Sequence, residues 1–379
     1  MKHYDYIFTG VGLAALMTVN QMIKSGKFAD KSILLLDADS KQKNDRTWCF
    51  WEKGKGNWDK ILTQQWKQVW FRNEVFSRRL DLDPYEYKMI RGIDFYNKTL
   101  KRIMLHSNIT FSNENVTGHS ESAGHVVIQT ASGNYSCSKL FNSIYDPTAV
   151  LKQTKYPLLQ QHFIGWTIKT ETPSFDPNVA TFMDFSVPQK GNTRFMYVLP
   201  VSDTEAIFEY TLFSKDLLSE SEYEEAIVNY LSNLDVTNYK IIDKERGRIP
   251  MTSYEFWESN TKNVINIGSA GGWTKASTGF TFKNSDKLSK RLVQFLQQQN
   301  DFTDFYKKDR FWFYDLLLLD ILSKQNEKGA PIFSAMFKKS TPALVLKFLD
   351  GETSFWEDLK VIWQCPKGLF IKALFFRLF

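Results

Sequence analysis

Gly10, Gly12 and Ala15 form a Gly-x-Gly-x-x-Ala run, and Asp37 follows 25 residues after Gly12. Each type has a mechanical use toward a dinucleotide. Gly10 turns the chain tightly, Gly12 lets backbone approach a pyrophosphate, and Ala15 keeps a helix close to a strand. A carboxylate about 20 residues further on accepts hydrogen bonds from an adenosine ribose, the role expected of Asp37. A different chemistry is offered by Glu209, which interrupts the apolar run Ile207-Phe208-Glu209-Tyr210. A carboxyl held protonated among apolar groups can act as a general acid, because burial raises its pKa. Strand alternation puts Glu209 on the face of Ile207, Thr211 and Phe213, opposite Phe208, Tyr210 and Leu212. By residue type alone a strand glutamate faces solvent, since glutamates are rarely buried.

The elements around these residues support the nucleotide reading. Residues 4–9 read as a buried strand, residues 12–25 as a helix with Leu13, Leu16, Met17 and Ile23 on one broad face, and Gly26 as its stop. Residues 32–37, with the run Ile33-Leu34-Leu35-Leu36, read as a parallel strand covered on both faces, which completes a βαβ unit. Residues 94–105 have helical spacing, and short β-rich runs from 109 to 144 suggest a meander in which His119 and His125 flank a hairpin turn. Asp146-Pro147 marks a boundary. The runs 163–169, 180–187, 194–199 and 206–213 then suggest a second, antiparallel sheet, followed by a helix over 221–234 capped by Ser219 or Ser221. A strand over 263–267 leads into Gly268-Ser269-Ala270-Gly271-Gly272, then Thr278-Gly279 and a helix over 277–298. This second glycine group resembles the distal FAD site of glutathione-reductase-like and hydroxylase-like flavoproteins, with Ser269 where those have Asp. The fingerprint alone does not separate NAD from FAD, but the two glycine groups together favour FAD.

Composition excludes several classes. The chain has 379 residues, 43% of them hydrophobic, and a net charge of +6, with no basic stripe bearing interleaved aromatics, so no nucleic-acid groove is expected. Cys49, Cys137 and Cys365 form neither a CxxC pair nor an even set, which argues against disulfides and structural zinc and suits a reducing cytoplasm. The five histidines are scattered, and no metal site is expected. No apolar run reaches the roughly 18 residues needed to span a bilayer, so a soluble or peripherally attached protein is expected.

Asp45-Arg46-Thr47-Trp48-Cys49-Phe50-Trp51, Tyr87-Lys88-Met89-Ile90-Arg91, Phe208-Glu209-Tyr210-Thr211, Gly247-Arg248-Ile249-Pro250-Met251 and Gly271-Gly272-Trp273-Thr274-Lys275-Ala276-Ser277-Thr278-Gly279-Phe280 occur in that order. Together they resemble the lycopene β-cyclase family of FAD-dependent carotenoid cyclases, over roughly residues 4–290. The resemblance implies conversion of the linear ends of lycopene to β-ionone rings, by an acid-catalysed and redox-neutral cyclisation. It makes Glu209 the essential acidic residue, as proton donor or as stabiliser of the carbocation. It implies that reduced FAD is required, with NADPH or another donor as reductant. A hydroxylase-type FAD monooxygenase shares the layout, and a non-catalytic, membrane-attached carotenoid-binding flavoprotein is the alternative from another class.

The expected fold is α/β (α+β), with a Rossmann-type FAD-binding domain, a second antiparallel-sheet substrate domain in a hydroxylase-like flavoprotein layout, and a helical C-terminal region. The FAD domain is assigned to 1–65, 91–156 and 255–300, the substrate domain to 66–90 and 157–254, and the helical region to 301–379. Cofactor contacts are assigned to Gly10, Gly12, Ala15, Asp37, Arg46, Gly268, Gly271, Thr278 and Gly279. Residues 359–379 carry Lys360, Lys367, Lys372 and Arg377 without an acid, and Leu369, Phe370, Ile371, Leu374, Phe375, Phe376, Leu378 and Phe379 crowd the end. As a helix this end is apolar on nearly every side, which suits either peripheral contact with the inner face of the cell membrane or docking into the protein's own core.

Overall fold

The structure, a computed structural model, describes residues 1–122 and 124–378. The chain opens with strand Lys2–Thr9, the Gly10–Gly12 turn and helix Leu13–Ser25, which stops where Gly26 takes a left-handed φ of 66°. Strand Ile33–Asp37 then pairs parallel to the first, with Tyr6 opposite Ile33 and Thr9 opposite Leu36. Among the described residues this sheet has seven strands. Ile109–Asn113, Ile33–Asp37, Lys2–Thr9 and Gly133–Asn142 run in that order and are mutually parallel. His125–Thr130 and Val116–Ser122 join Gly133–Asn142 in an antiparallel meander, but Ile109–Asn113, expected in it, lies at the opposite edge, and Val264–Asn266 lies parallel to the end of Gly133–Asn142. Leu34, Leu35 and Leu36 are buried on both faces, the condition that an uninterrupted apolar strand satisfies. Helices Leu13–Ser25, Gly92–Ile103 and Phe282–Leu296 share one apolar core with Phe8, Leu35 and Phe141.

A second sheet of seven described strands runs in the order Tyr239–Met251, Leu159–Thr170, Glu205–Ser214, Thr193–Pro200, Val179–Asp184, Gln68–Arg72 and Ser77–Asp81. Its neighbours are antiparallel except Val179–Asp184 and Gln68–Arg72, which run parallel, so the sheet is mixed at that one junction. One face packs Phe208, Tyr210 and Leu212 against Tyr223, Ile227 and Leu231 of helix Glu220–Asn233, which starts in a capping box made by Ser219 and Glu222. Phe213, Phe195 and Tyr197 on the other face belong to a core with Trp51 and Tyr87 from a small sheet of Thr47–Lys53, Tyr85–Arg91 and Gln64–Trp66. The alternation read around Glu209 therefore corresponds to two separately packed faces. Two further segments differ from expectation. The helix expected over 277–298 begins at Phe282, because Thr278 N and Gly279 N donate to Lys275 O in a turn and Gly279 takes a φ of 73°. Tyr239–Met251 forms a 13-residue strand unforeseen from its charge-rich sequence.

Residues after 300 form a mostly helical cap. In Lys367–Leu378, Ala373 is buried and Leu369 and Phe370 pack on the core, while Arg377 grips Asp320 with Nε and Nη2 at 2.5 and 2.6 Å and donates to Lys155 O at 2.8 Å. One edge of this helix is thus docked. Ile371, Phe376 and Leu378 remain exposed, as do Trp356 and Trp363 nearby; Phe379 lies outside the described residues. No helix among the described residues is long and apolar enough to cross a membrane.

Candidate active site

The dinucleotide end is built by three short-range requirements. Gly10 takes a φ of 77°, which favours glycine, and a Cβ there would press to 3.3 Å against Ser143 and Ile144. Gly12, at the helix N-terminus, would meet nothing within 4 Å if it carried a Cβ, so protein packing does not demand its bareness and the space in front of the helix is left for a ligand. Ala15 is fully buried in the core beside the sheet. Asp37 accepts from Val11 N at 2.5 Å and Asp39 N at 2.8 Å and pairs with Lys41 at 3.0 Å, which ties the end of the second strand to the glycine turn. Gly268 approaches this helix, since a Cβ on it would stand 3.2 Å from Ala14 Cβ, and Gly271 is pressed against the Asn266 carbonyl.

Beyond that end lies a cavity of about 330 Å³ between the second sheet, the small sheet and the segment 269–282 that follows strand Val264–Asn266. Arg46, Ser269, Thr278 and Gly279 line it together with Glu209; Gly10, Gly12, Ala15, Asp37, Gly268 and Gly271 do not. Thr278 Oγ1 and Gln161 Oε1, both on the cavity, are buried without a hydrogen-bond partner. Orphaned polar atoms in a pocket need a partner, and a polar ligand supplies one. With the open space at Gly12, they make the chain fit to hold a dinucleotide cofactor.

The floor of the cavity is a row set by strand register. Tyr197 pairs with Glu209, Glu209 with Gly165, and Gly165 with Glu245, so all four project on one face. Gly165 contributes no side chain, and the two glutamates flank the gap. Burial, followed by the charge of Glu245, pushes the Glu209 carboxyl up to about 8, and a 2.8 Å hydrogen bond from Thr211 Oγ1 offsets only part of this. Burial pushes Glu245 up to about 7, opposed by Thr47, whose N–H donates to it at 3.0 Å, and by Arg46. Each carboxyl keeps some surface, and both line the cavity. Burial also raises the Tyr197 and Tyr87 phenols well above their ordinary range, so both are neutral donors. Phe163, Phe280 and Phe282 add aromatic walls.

Such a site can protonate an apolar substrate and shelter the cation that results. Sequence reading reached Glu209 but not Glu245. Lys244-Glu245-Arg246 looks like a solvated charge run, and the alternation that turns Lys244 and Arg246 outward to Glu224 and Glu220 could have shown Glu245 turning inward.

Together the Rossmann-type sheet, the second sheet and the cavity against the second sheet's face define a hydroxylase-like flavoprotein layout. Solved structures share this fold at low sequence identity. A geranylgeranyl bacteriochlorophyll reductase-like protein from Thermoplasma acidophilum superposes with a TM-score of 0.63 at 11% identity, covering 98% of each chain. A flavoprotein/dehydrogenase from Cytophaga hutchinsonii gives 0.61 at 12% identity over 99% of this chain and 100% of that one, and p-nitrophenol 4-monooxygenase from Pseudomonas putida DLL-E4 gives 0.58 at 12% over 99% and 98%. The chain belongs to the family described as lycopene cyclase protein, whose pattern matches residues 5–374. It is also 27% identical over 131 residues to the lycopene beta-cyclase of Paracoccus sp. (strain N81106 / MBIC 01143), a match spanning 32% of each protein.

Proposed function

We propose that this protein is an FAD-dependent lycopene β-cyclase that closes the ends of lycopene into β-ionone rings. The observation that carries the reading is Glu209, a carboxyl that burial keeps protonated to about pH 8 and aims into an aromatic-walled cavity. An alkene carbon is a far poorer base than oxygen or nitrogen, so its protonation needs an acid held close and shielded from water. Glu209 gives the proton, and Phe163, Phe280 and Phe282 face the cation that forms. The Gly12 amide region and helix Leu13–Ser25 hold the pyrophosphate of FAD, Asp37 its ribose, and Arg46, Thr278 and Gly279 its ring end. Reduced FAD, when bound, supplies negative charge near the cation, with NADPH or another donor as its reductant. The first sheet is thus the cofactor layer and the second the substrate layer, spanning the segments 1–65, 91–156 and 255–300 and the segments 66–90 and 157–254.

A C40 hydrocarbon dissolves in lipid, so the enzyme collects it at a membrane surface. We assign that contact to the apolar face left exposed by Trp356, Trp363, Ile371 and Leu378, flanked by Lys360, Lys367 and Lys372, on the cytoplasmic side of the cell membrane. Trp363→Ser with Ile371→Ser keeps the fold and loses sedimentation with anionic liposomes if this is right; unchanged sedimentation removes the assignment. The function itself is tested by incubating the protein anaerobically with chemically reduced FAD and lycopene. Product formed without oxygen supports the cyclase; product only with oxygen, matched to NADPH consumption, identifies a monooxygenase; no product in either case leaves a carotenoid-binding flavoprotein.

A further inference from the structure

Glu245 shares a sheet face and a cavity with Glu209. The register places Glu209 and Glu245 on either side of Gly165, on one face of the same sheet, with strand spacing putting their backbones about 10 Å apart. Glu209, Gly165 and Glu245 all line the same cavity. A Cβ built on Gly165 would stand 3.5 Å from both Cβ and Cγ of Glu209, so any larger residue there would press on the Glu209 side chain along this face. The neighbours of Glu245 are committed elsewhere, Lys244 to Glu224 at 2.6 Å and Arg246 to Glu220 at 2.7 Å on the outer side of the strand. Glu245 itself has no salt bridge among the described residues, and its carboxyl is held by the Thr47 N–H at 3.0 Å.

We propose that Glu245 is the base that ends the cyclisation and that its proton returns to Glu209 across Gly165. This rests on the cyclase reading above. Glu209 gives its proton to one carbon of the terminal alkene, whose π pair becomes the new C–H bond and leaves a tertiary cation on the neighbouring carbon. The π pair of a second alkene forms the ring C–C bond and moves the positive charge to a ring carbon. A lone pair of Glu245 removes a proton from the adjacent ring carbon, and that C–H pair becomes the ring double bond. One proton enters the hydrocarbon and one leaves, with no electron gained or lost. The cycle ends with Glu209 as carboxylate and Glu245 as acid, and transfer between them over the bare glycine restores the starting state. The division of labour follows from the surroundings. Glu245 accepts from the Thr47 backbone and lies near Arg46, both of which favour its anion, whereas Glu209 has a single hydroxyl donor among buried aromatics.

The test uses full-length protein with reduced FAD and lycopene under anaerobic conditions. Glu245→Gln should retain FAD and lose on the order of 100-fold or more in rate, the usual contribution of a positioned base. Glu245→Ala should be comparably slow and should regain activity saturably with added formate, a small carboxylate that enters the vacated space. A role limited to anchoring Thr47 would survive in Glu245→Gln, whose amide carbonyl can still accept the Thr47 N–H. Glu245→Asp serves as the second variant if the glutamine form loses its flavin, and it should retain more activity than Glu245→Ala. Cyclisation by Glu245→Gln within about twofold of wild type overturns the inference, as does a slow Glu245→Ala that neither formate nor Glu245→Asp improves. Glu209→Gln keeps the two readings apart: if it is inactive while Glu245→Gln is fully active, only the base is wrong; if it is fully active, the acid itself is misassigned.

Discussion

Replacing Glu209 with Gln should make the folded protein more stable at alkaline pH while abolishing cyclisation. In the folded protein the carboxyl holds its proton to about pH 8, against 4.5 as its ordinary value. Between those values the folded state binds one proton more than the unfolded chain, so stability falls as pH rises through the window and is lowest above about 8. At about 1.4 kcal/mol per pKa unit, the move from 4.5 to about 8 corresponds to roughly 4–5 kcal/mol at pH 9. Because the side chain keeps some surface, part of this is screened, leaving an expected gain of about 2 kcal/mol or more for the glutamine. The amide carbonyl can still accept the Thr211 hydroxyl, so little is lost in exchange. At pH 5 the difference should shrink below about 1 kcal/mol, because that pH lies only about half a unit above the ordinary value of 4.5 and little of the penalty has accumulated. The assay is guanidinium unfolding of both proteins at pH 5, 7 and 9 with the same excess of FAD. A wild type as stable as Glu209→Gln at pH 9, or more stable, would refute the claim that this carboxyl is held against its preference for water.

Gly12→Val should leave the apo fold intact, since its Cβ meets nothing in the protein, and should yield purified protein without flavin absorbance; retained FAD would sink the pyrophosphate assignment. Gly165→Val should keep FAD but lose lycopene turnover by filling the gap between the carboxyls, and normal turnover would show that substrate does not enter there. Arg377→Ala should cost about 3 kcal/mol in denaturant unfolding by leaving the buried Asp320 carboxylate unpaired, and an unchanged midpoint would mean that the terminal helix is held by its apolar edge alone.

What the sequence determined by itself was local. The strand, glycine turn, helix and second strand of residues 2–37 were legible because the contacts that join them to one another link residues close along the chain, although both strands also pair with segments more than 70 residues away. Strand alternation likewise separated the Glu209 face from the Phe208 face, since a period of two is a property of the strand alone. The start of helix Phe282–Leu296 was less legible, because the turn closed by Lys275 and Phe280 competes with helical spacing that begins at Ser277. Only the tertiary structure decided the rest. Glu245 lies 36 residues from Glu209 and 80 from Gly165, and nothing in its charged neighbourhood marks it until register places all three in one row. Arg377 reads as one more cation on an apolar helix until Asp320, 57 residues earlier, takes hold of it. In both cases the energy that fixes the side chain comes from a partner brought up by packing, and burial, which sets the chemistry of a carboxyl, exists only after the sheets have closed over it.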